Sequence, residues 1–419
     1  MLLSLLSSVN VQASETGKCG DNITWTLDDK GNLELTGKGK MYDYSLMGGP
    51  WSTSIVSVTI SEGIENIGKY AFSFCGKLTN VVIPNSVKEI LEGVFRGCEG
   101  LETVTIGESV ASIGPSAFSG CHGLLSVTIP SAVKVIEAKA FSNCGKLKSL
   151  SVDKENKVYD SRGNCNAIIE TATNTLIYAC KNTVIHNTVT KIGEDAFAYC
   201  AALTSIEIPN SVTDIKSGAF SGCSGLTSVV IPSSVSNLGG YVFYGCESLT
   251  SMVIPNSVKS IGAYTLYGCR GLKNVVVGES VASVGNAAFK ECAGLTRLEM
   301  LTKVPPKCGK DVFVGMDKTA CELVVPAGCV DAYKTAAEWG DFSKITPGES
   351  SVGEVGTQGV TVTAAGGEIV VEGVADAAVE VYGIGGSLLY SGKSHRVSVP
   401  VAGIYVVRVN GKPHKVVVK

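Results

Sequence analysis

Charge is what this sequence has least of. Lys, Arg, Asp and Glu make up 17% of its 419 residues, against about 25% in an ordinary soluble domain. No basic run interrupts a formal net charge of -3, so a nucleic-acid partner or a polybasic membrane anchor has no electrostatic footprint. Histidine is down to His122, His186, His395 and His414, none with a second ligand at metal-site spacing. There is no C-x-x-C, no G-x-S-x-G elbow and no P-loop, and with them the groups that would bear a catalytic role, a metal or a cofactor are missing. We therefore expect no enzyme, no catalytic residue, no metal and no cofactor. No segment after the N-terminus approaches ~20 uninterrupted apolar residues, so no transmembrane helix is expected.

What fills the chain instead is 45% hydrophobic residues, 49 glycines and 15 cysteines. The odd, high cysteine count fits neither a disulfide framework nor a cytosolic chain. Spacing explains it. Cys75, Cys98, Cys121 and Cys144 lie 23 residues apart, as do Cys200, Cys223, Cys246, Cys269 and Cys292. Leu78, Leu101, Leu124 and Leu147, then Leu203, Leu226, Leu249, Leu272 and Leu295, keep the same count. One unit reads LTSVVIPSSVSNLGGYVFYGCES, Leu226 to Ser248. Val229 and Ile231 alternate as a half-buried strand would, and Pro232 ends it. A unit this short cannot bury its own apolar face, so it must stack on its neighbours as a solenoid with one parallel strand per coil and short turns on the other face. The repeat cysteines then form a buried ladder of small apolar side chains with parallel orientation, which disfavours disulfides. Cys19, Cys165, Cys180, Cys308, Cys321 and Cys329 remain as possible partners.

These units, such as Leu203 to Ala219 followed by Phe220 and Cys223, resemble the leucine-rich repeats of the BspA-like bacterial cell-surface family. The asparagines Asn85, Asn210 and Asn256 come two residues after the last strand apolar, not three, which argues against the asparagine ladder of the general repeat. The register places the solenoid at residues 55–300, about eleven coils, with a hairpin-bearing long repeat at about 153–185 that turns at Thr173-Asn174. Residues 14–54 read as an N-terminal β-hairpin cap. Residues 301–346 read as a C-terminal cap, with the strand CELVVP and a short helix around Ala332 to Trp339; Trp339 packs on the last coil. Residues 1–13 resemble a signal peptide without its positive start.

After a linker at 347–358, residues 359–419 alternate like strands of a small β-sandwich. This tail resembles the C-terminal sorting domains of the type IX secretion system. The resemblance is carried by Val381-Tyr382, Gly385-Gly386, the stretch PVAGIYVV from Pro400 and the end at Lys419. It implies export machinery as a partner and residence on the outer face of a bacterial outer membrane.

Binding is the function left. The outward strand column reads Val82, Thr105, Thr128, Ser151, Glu207, Val230, Val253, Val276, Glu299. The successive valines Val230, Val253 and Val276 would form an apolar strip. Tyr241 and Tyr264 share one turn column and Tyr244 and Tyr267 another, and tyrosine is a favoured contact residue. The family resemblance implies adhesion to, or recognition of, proteins on host or microbial surfaces. The alternative is a polysaccharide-binding module, with the tyrosines stacked on sugar rings.

Overall fold

The computed structural model describes residues 15–51, 53, 55–348, 361–365, 368–372, 378–383, 388–398, 403–409 and 412–418. The signal-like segment, most of the linker, Gly385-Gly386, Pro400 and Lys419 lie outside the described residues. The chain divides into two compact units, Met1–Thr183 and Val184–Lys419.

In the first unit, Glu15–Gly20, Ile23–Leu27 and Asn32–Gly37 form antiparallel hairpins. The cap is more than a lid. Its third strand pairs in parallel with Ser57–Ile60, Leu33 opposite Val58 and Leu35 opposite Ile60. The solenoid strands Asn80–Val82, Thr103–Thr105, Ser126–Ile129 and Ser149–Val152 follow in parallel, each residue opposite the one 23 positions on, as in Val127 and Leu150. The long repeat carries the expected hairpin, Ala167–Glu170 against Thr175–Ala179.

In the second unit the parallel strands are Ser205–Ile206, Ser228–Val229, Ser251–Ile254, Asn274–Val277 and Arg297–Met300. Glu322–Val325 and Lys344–Pro347 continue the last sheet. Asn32–Gly37, Glu322–Val325 and Lys344–Pro347 thus extend the ladder beyond the eleven strands expected, because the caps supply strands of their own. Lys344–Pro347 also takes the start of the expected linker into a sheet. The helix runs Val330–Thr335, earlier than expected, because Ala336 is extended. That turn lets Trp339 fold back, buried, with its ring edge-on to Phe313 at 5.2 Å and its indole N–H donating to the Pro306 carbonyl at 2.8 Å. In the tail, the described strands make one antiparallel sheet of three and another of four, with Val371, Val379, Val381, Val397 and Val407 buried.

The expectation of turns alone on the other face needs correction. Each unit carries a second parallel ladder of mostly two-residue strands. In the first unit it includes Glu89–Ile90, Ser112–Ile113 and Val135–Ile136; in the second, Asp214–Ile215 with Asn237–Leu238, and Ser260–Ile261 with Ser283–Val284. Two residues show no periodicity, so their pairing comes from the stacking of coils and not from local pattern. The serine- and threonine-rich corners are likewise more than solvated turns. Hydroxyls donate to carbonyls of the preceding coil: Ser86 to Ile64 at 2.8 Å, Ser234 to Val212 at 2.7 Å and Thr227 to Thr204 at 3.0 Å.

Between the two ladders run the apolar columns. Phe72, Phe95, Phe118 and Phe141 stack at 5.3 to 5.4 Å, and Phe197, Phe220 and Phe243 at 4.9 and 5.5 Å. Beside them stands the cysteine column. No disulfide joins any of the fifteen cysteines. The column is not merely apolar filling, because Cys98, Cys121, Cys144, Cys223, Cys246, Cys269 and Cys292 each donate the thiol to the carbonyl 26 residues earlier. Cys98 reaches Phe72 at 3.0 Å, Cys121 Phe95 at 3.2 Å, Cys223 Phe197 at 3.1 Å, Cys269 Phe243 at 3.1 Å and Cys292 Leu266 at 3.0 Å. Cysteine suits the place because it is small, tolerates complete burial and still offers a weak donor.

Replacing Cys223 by Ala leaves the Phe197 carbonyl without this donor, and we expect a loss of about 1–3 kcal/mol. Cys223→Ser, which keeps a donor, should lose less in urea unfolding. Equal losses would show that the thiol contributes volume only.

Burial pushes the Cys246 and Cys292 thiols up to about 12 from the ordinary 9.0, and pushes Cys98, Cys121, Cys223 and Cys269 well above it. The unfolded chain then binds fewer protons than the folded one above pH 9.0, so stability should be level below that pH and fall toward about pH 12. Melting temperatures measured across this range check the sign.

Candidate functional site

The turn that carries the tyrosines is built by backbone bonds between coils. Tyr241 N–H donates to the Ala263 carbonyl at 2.8 Å, Phe243 to Thr265 at 2.9 Å, Gly245 to Tyr267 at 2.8 Å and Tyr264 to Asn286 at 2.8 Å. Tyr241 and Tyr264 both adopt left-handed backbone, φ 57°, a conformation non-glycine residues hold only where the surroundings fix it. With backbone and register fixed, the side chains must stack.

The four sequence-predicted tyrosines come together as a quartet. Tyr241 and Tyr264 stack at 4.7 Å with their planes 12° apart, and Tyr244 and Tyr267 at 4.9 Å and 7°. Within each coil the two rings tilt together at 5.9 Å. Tyr241 is 43% exposed and the other three are half-buried. In the same two columns, Gly218 and Ser221 occupy the preceding coil and Ala287 and Lys290 the following one. The cluster is therefore bounded on one side by small residues. Within each stacked pair, one face of each ring is taken by its partner.

The predicted valines lie on the strand face, not in this cluster. Val253 pairs directly with Val276, which pairs with Glu299; both valines are half-buried. Val230 lies just past Ser228–Val229 and is 57% exposed. A shallow groove of about 590 Å³, lined by residues including Glu279, Leu301, Lys303, Val304 and Lys307, lies elsewhere in the same unit. No sequence-predicted site residue lines it. Among the described residues no group of three or more His, Cys, Asp or Glu is placed to hold a metal ion.

Three exposed aromatics, Tyr42, Phe74 and Tyr199, escaped the sequence reading. Tyr199 is 51% exposed, and a Cβ on Gly222 of the next coil would lie 2.6 Å from its ring. Phe74 lies over Gly97 in the same way. Both have positive φ and occupy a mostly glycine column that otherwise reads Gly97, Gly120, Asn143, Gly222, Gly245, Gly268 and Glu291. An aromatic ring lies flat where the following coil has no side chain, and the signal was available as an aromatic standing in a glycine column. Asn85, Asn210 and Asn256 are exposed. The Asn85 side-chain oxygen accepts from the Glu108 N–H at 2.8 Å, so these asparagines do not form a buried ladder.

With the geometry in hand, the chain can be set beside known proteins. The family described as BspA type leucine rich repeat region, in 6 copies, matches residues 51–166 and 174–296. No curated protein matches the chain. Among solved structures, a leucine-rich repeat protein from Eubacterium ventriosum is 23% identical over 73% of this chain and 95% of its own, with a TM-score of 0.57. A leucine rich cell surface protein from Faecalibacterium prausnitzii is 25% identical, covers 69% of this chain and 95% of its own, and has a TM-score of 0.50.

Proposed function

Because the chain belongs to the BspA type leucine-rich repeat family, we propose that it is a non-catalytic recognition protein displayed outside a bacterial cell, binding surface proteins of a host or of other microbes. Solenoids of this kind present extended surfaces to partners. The observation that carries the reading is the tyrosine quartet, a partly exposed aromatic cluster that the fold preorganises.

The geometry bears on the polysaccharide alternative. A sugar ring packs on an aromatic face, and here each stacked pair turns one face of each ring toward its partner. A protein partner can use ring edges and hydroxyls as readily as faces. The valine strip Val230, Val253 and Val276 offers a second apolar contact on the strand face.

Residence outside the cell rests on three supports. They are the signal-like residues 1–13, the sorting-like tail at 359–419, and a structural neighbour that is itself a cell surface protein. Among the described residues no helix is long and apolar enough to cross a membrane. In this reading export machinery acts on the tail, whose described strands pair only with one another.

Tyr244→Ala with Tyr267→Ala should weaken capture of matrix or cell-surface proteins at least tenfold and leave glycan-array signals at background. Unchanged protein binding would remove the quartet from the interface, and a glycan signal lost with the rings would favour the alternative. Deleting residues 349–419, which spares the strand Lys344–Pro347, should leave the protein off the cell surface. Surface labelling of intact cells checks this, and unchanged display would refute the sorting role.

A further inference from the structure

We propose that the tyrosine quartet is an oxidative cross-linking site, at which Tyr241 joins Tyr264 and Tyr244 joins Tyr267 as dityrosine, stapling two successive coils. The inference stands apart from the binding role. It follows from ring geometry and exposure.

Dityrosine forms when two phenoxyl radicals couple through ring carbons ortho to oxygen, which requires two tyrosines side by side while the radicals last. Near-parallel rings at 4.7 and 4.9 Å hold ortho carbons of one ring close over the other, within reach of a small side-chain rotation. Turn hydrogen bonds such as Gly245 N–H to Tyr267 carbonyl at 2.8 Å hold the two coils in register, so the same rings stay side by side. Tyr241 is 43% exposed and its neighbours half-buried, so an oxidant in solution can reach the cluster. None of the four phenols has a hydrogen-bond partner among the described residues, so the proton released on oxidation passes to water.

The other tyrosines with described side chains lack one condition or another. Tyr70 donates to Glu92 and has no tyrosine ring against it. Tyr159, Tyr178 and Tyr333 are buried. Tyr42 and Tyr199 are exposed but have no tyrosine ring stacked on them. Only in the quartet does tyrosine ring meet tyrosine ring among the described residues.

The oxidant is hydrogen peroxide acting through a haem peroxidase. Each of two tyrosines gives up one electron and its phenol proton, and the radicals form one carbon–carbon bond. Each joined carbon then loses its hydrogen as a proton while the oxygen regains one, restoring both phenols. The net change is loss of one hydrogen from each ring, and the two electrons and two protons reduce one peroxide, with cleavage of its O–O bond, to two waters. In a chain whose fifteen cysteines form no disulfide, this would tie coil to coil covalently.

The test uses the full chain, dilute, treated with peroxide and a haem peroxidase and then digested with trypsin. Tyr241 and Tyr244 fall in the peptide Ser217–Lys259, and Tyr264 and Tyr267 in Ser260–Arg270. We expect monomeric protein to yield these two peptides joined, lighter by two hydrogens per link, with dityrosine fluorescence. Tyr264→Phe with Tyr267→Phe, which keeps the stacked rings but removes the oxidisable phenols of one coil, should abolish the joined species. Tyr199→Phe should leave it intact. The proposal is overturned if the joined peptides are absent from oxidised monomer, form only in dimers, or persist in the double phenylalanine variant.

Discussion

The distance from one coil to the next governs every side chain in this molecule. Backbone hydrogen bonds set it. Phe72 N–H reaches the Val94 carbonyl at 2.9 Å, Phe95 reaches Ala117 at 2.7 Å and Phe118 reaches Ala140 at 2.8 Å, so each turn is tied to the following one by the same link. At a spacing of about 4.8 Å, a residue type is acceptable only if copies of it can stack on themselves. Flat rings can, at 5.3 Å in Phe72 and Phe95. Hydroxyls and thiols can, by donating to the carbonyl before them. Charges of one sign cannot, since like charges in register repel. The shortage of charge and the wealth of serine, threonine, glycine and cysteine are one consequence of that spacing.

Much of this was legible in the sequence because a single register carries it. Cys223, Phe220 and Leu226 recur with their neighbours every 23 residues, and parallel pairing returns the same register in three dimensions, as Ser205 opposite Ser228 shows. The hairpin in the long repeat and the burial of Trp339 were legible for similar reasons: a turn signal between alternating runs, and a large ring at the end of an apolar column. What could not be read is what depends on backbone from another coil. The acceptor of the Cys223 thiol is a carbonyl, and a carbonyl has no letter. The two-residue ladder through Ser112–Ile113 is too short for alternation to appear, and Asn32–Gly37 looked like a hairpin strand because its parallel partner lies across an irregular stretch of chain.

For the site, column membership was legible and orientation was not. Spacing brought Tyr241 to Tyr264 and Tyr244 to Tyr267, yet nothing in the letters says that the rings turn their faces to each other. That orientation follows from left-handed backbone at Tyr241 and Tyr264. It decides whether the cluster offers planes or edges. The valines show the converse: they share the column expected of them, but burial differs along it, from half-buried Val253 and Val276 to exposed Val230.

The two tryptophans that close the columns have a consequence for how such a chain can change length. Trp51 donates to the Ala71 carbonyl at 2.9 Å and stacks on Phe72, while Trp339 donates to the Pro306 carbonyl and packs on Phe313. Each satisfies only the coil it touches. A gene segment encoding one whole coil could be duplicated or lost within either unit without disturbing the closure at its end. Slippage in multiples of 23 codons is thereby a class of insertion or deletion this architecture absorbs without refitting its caps.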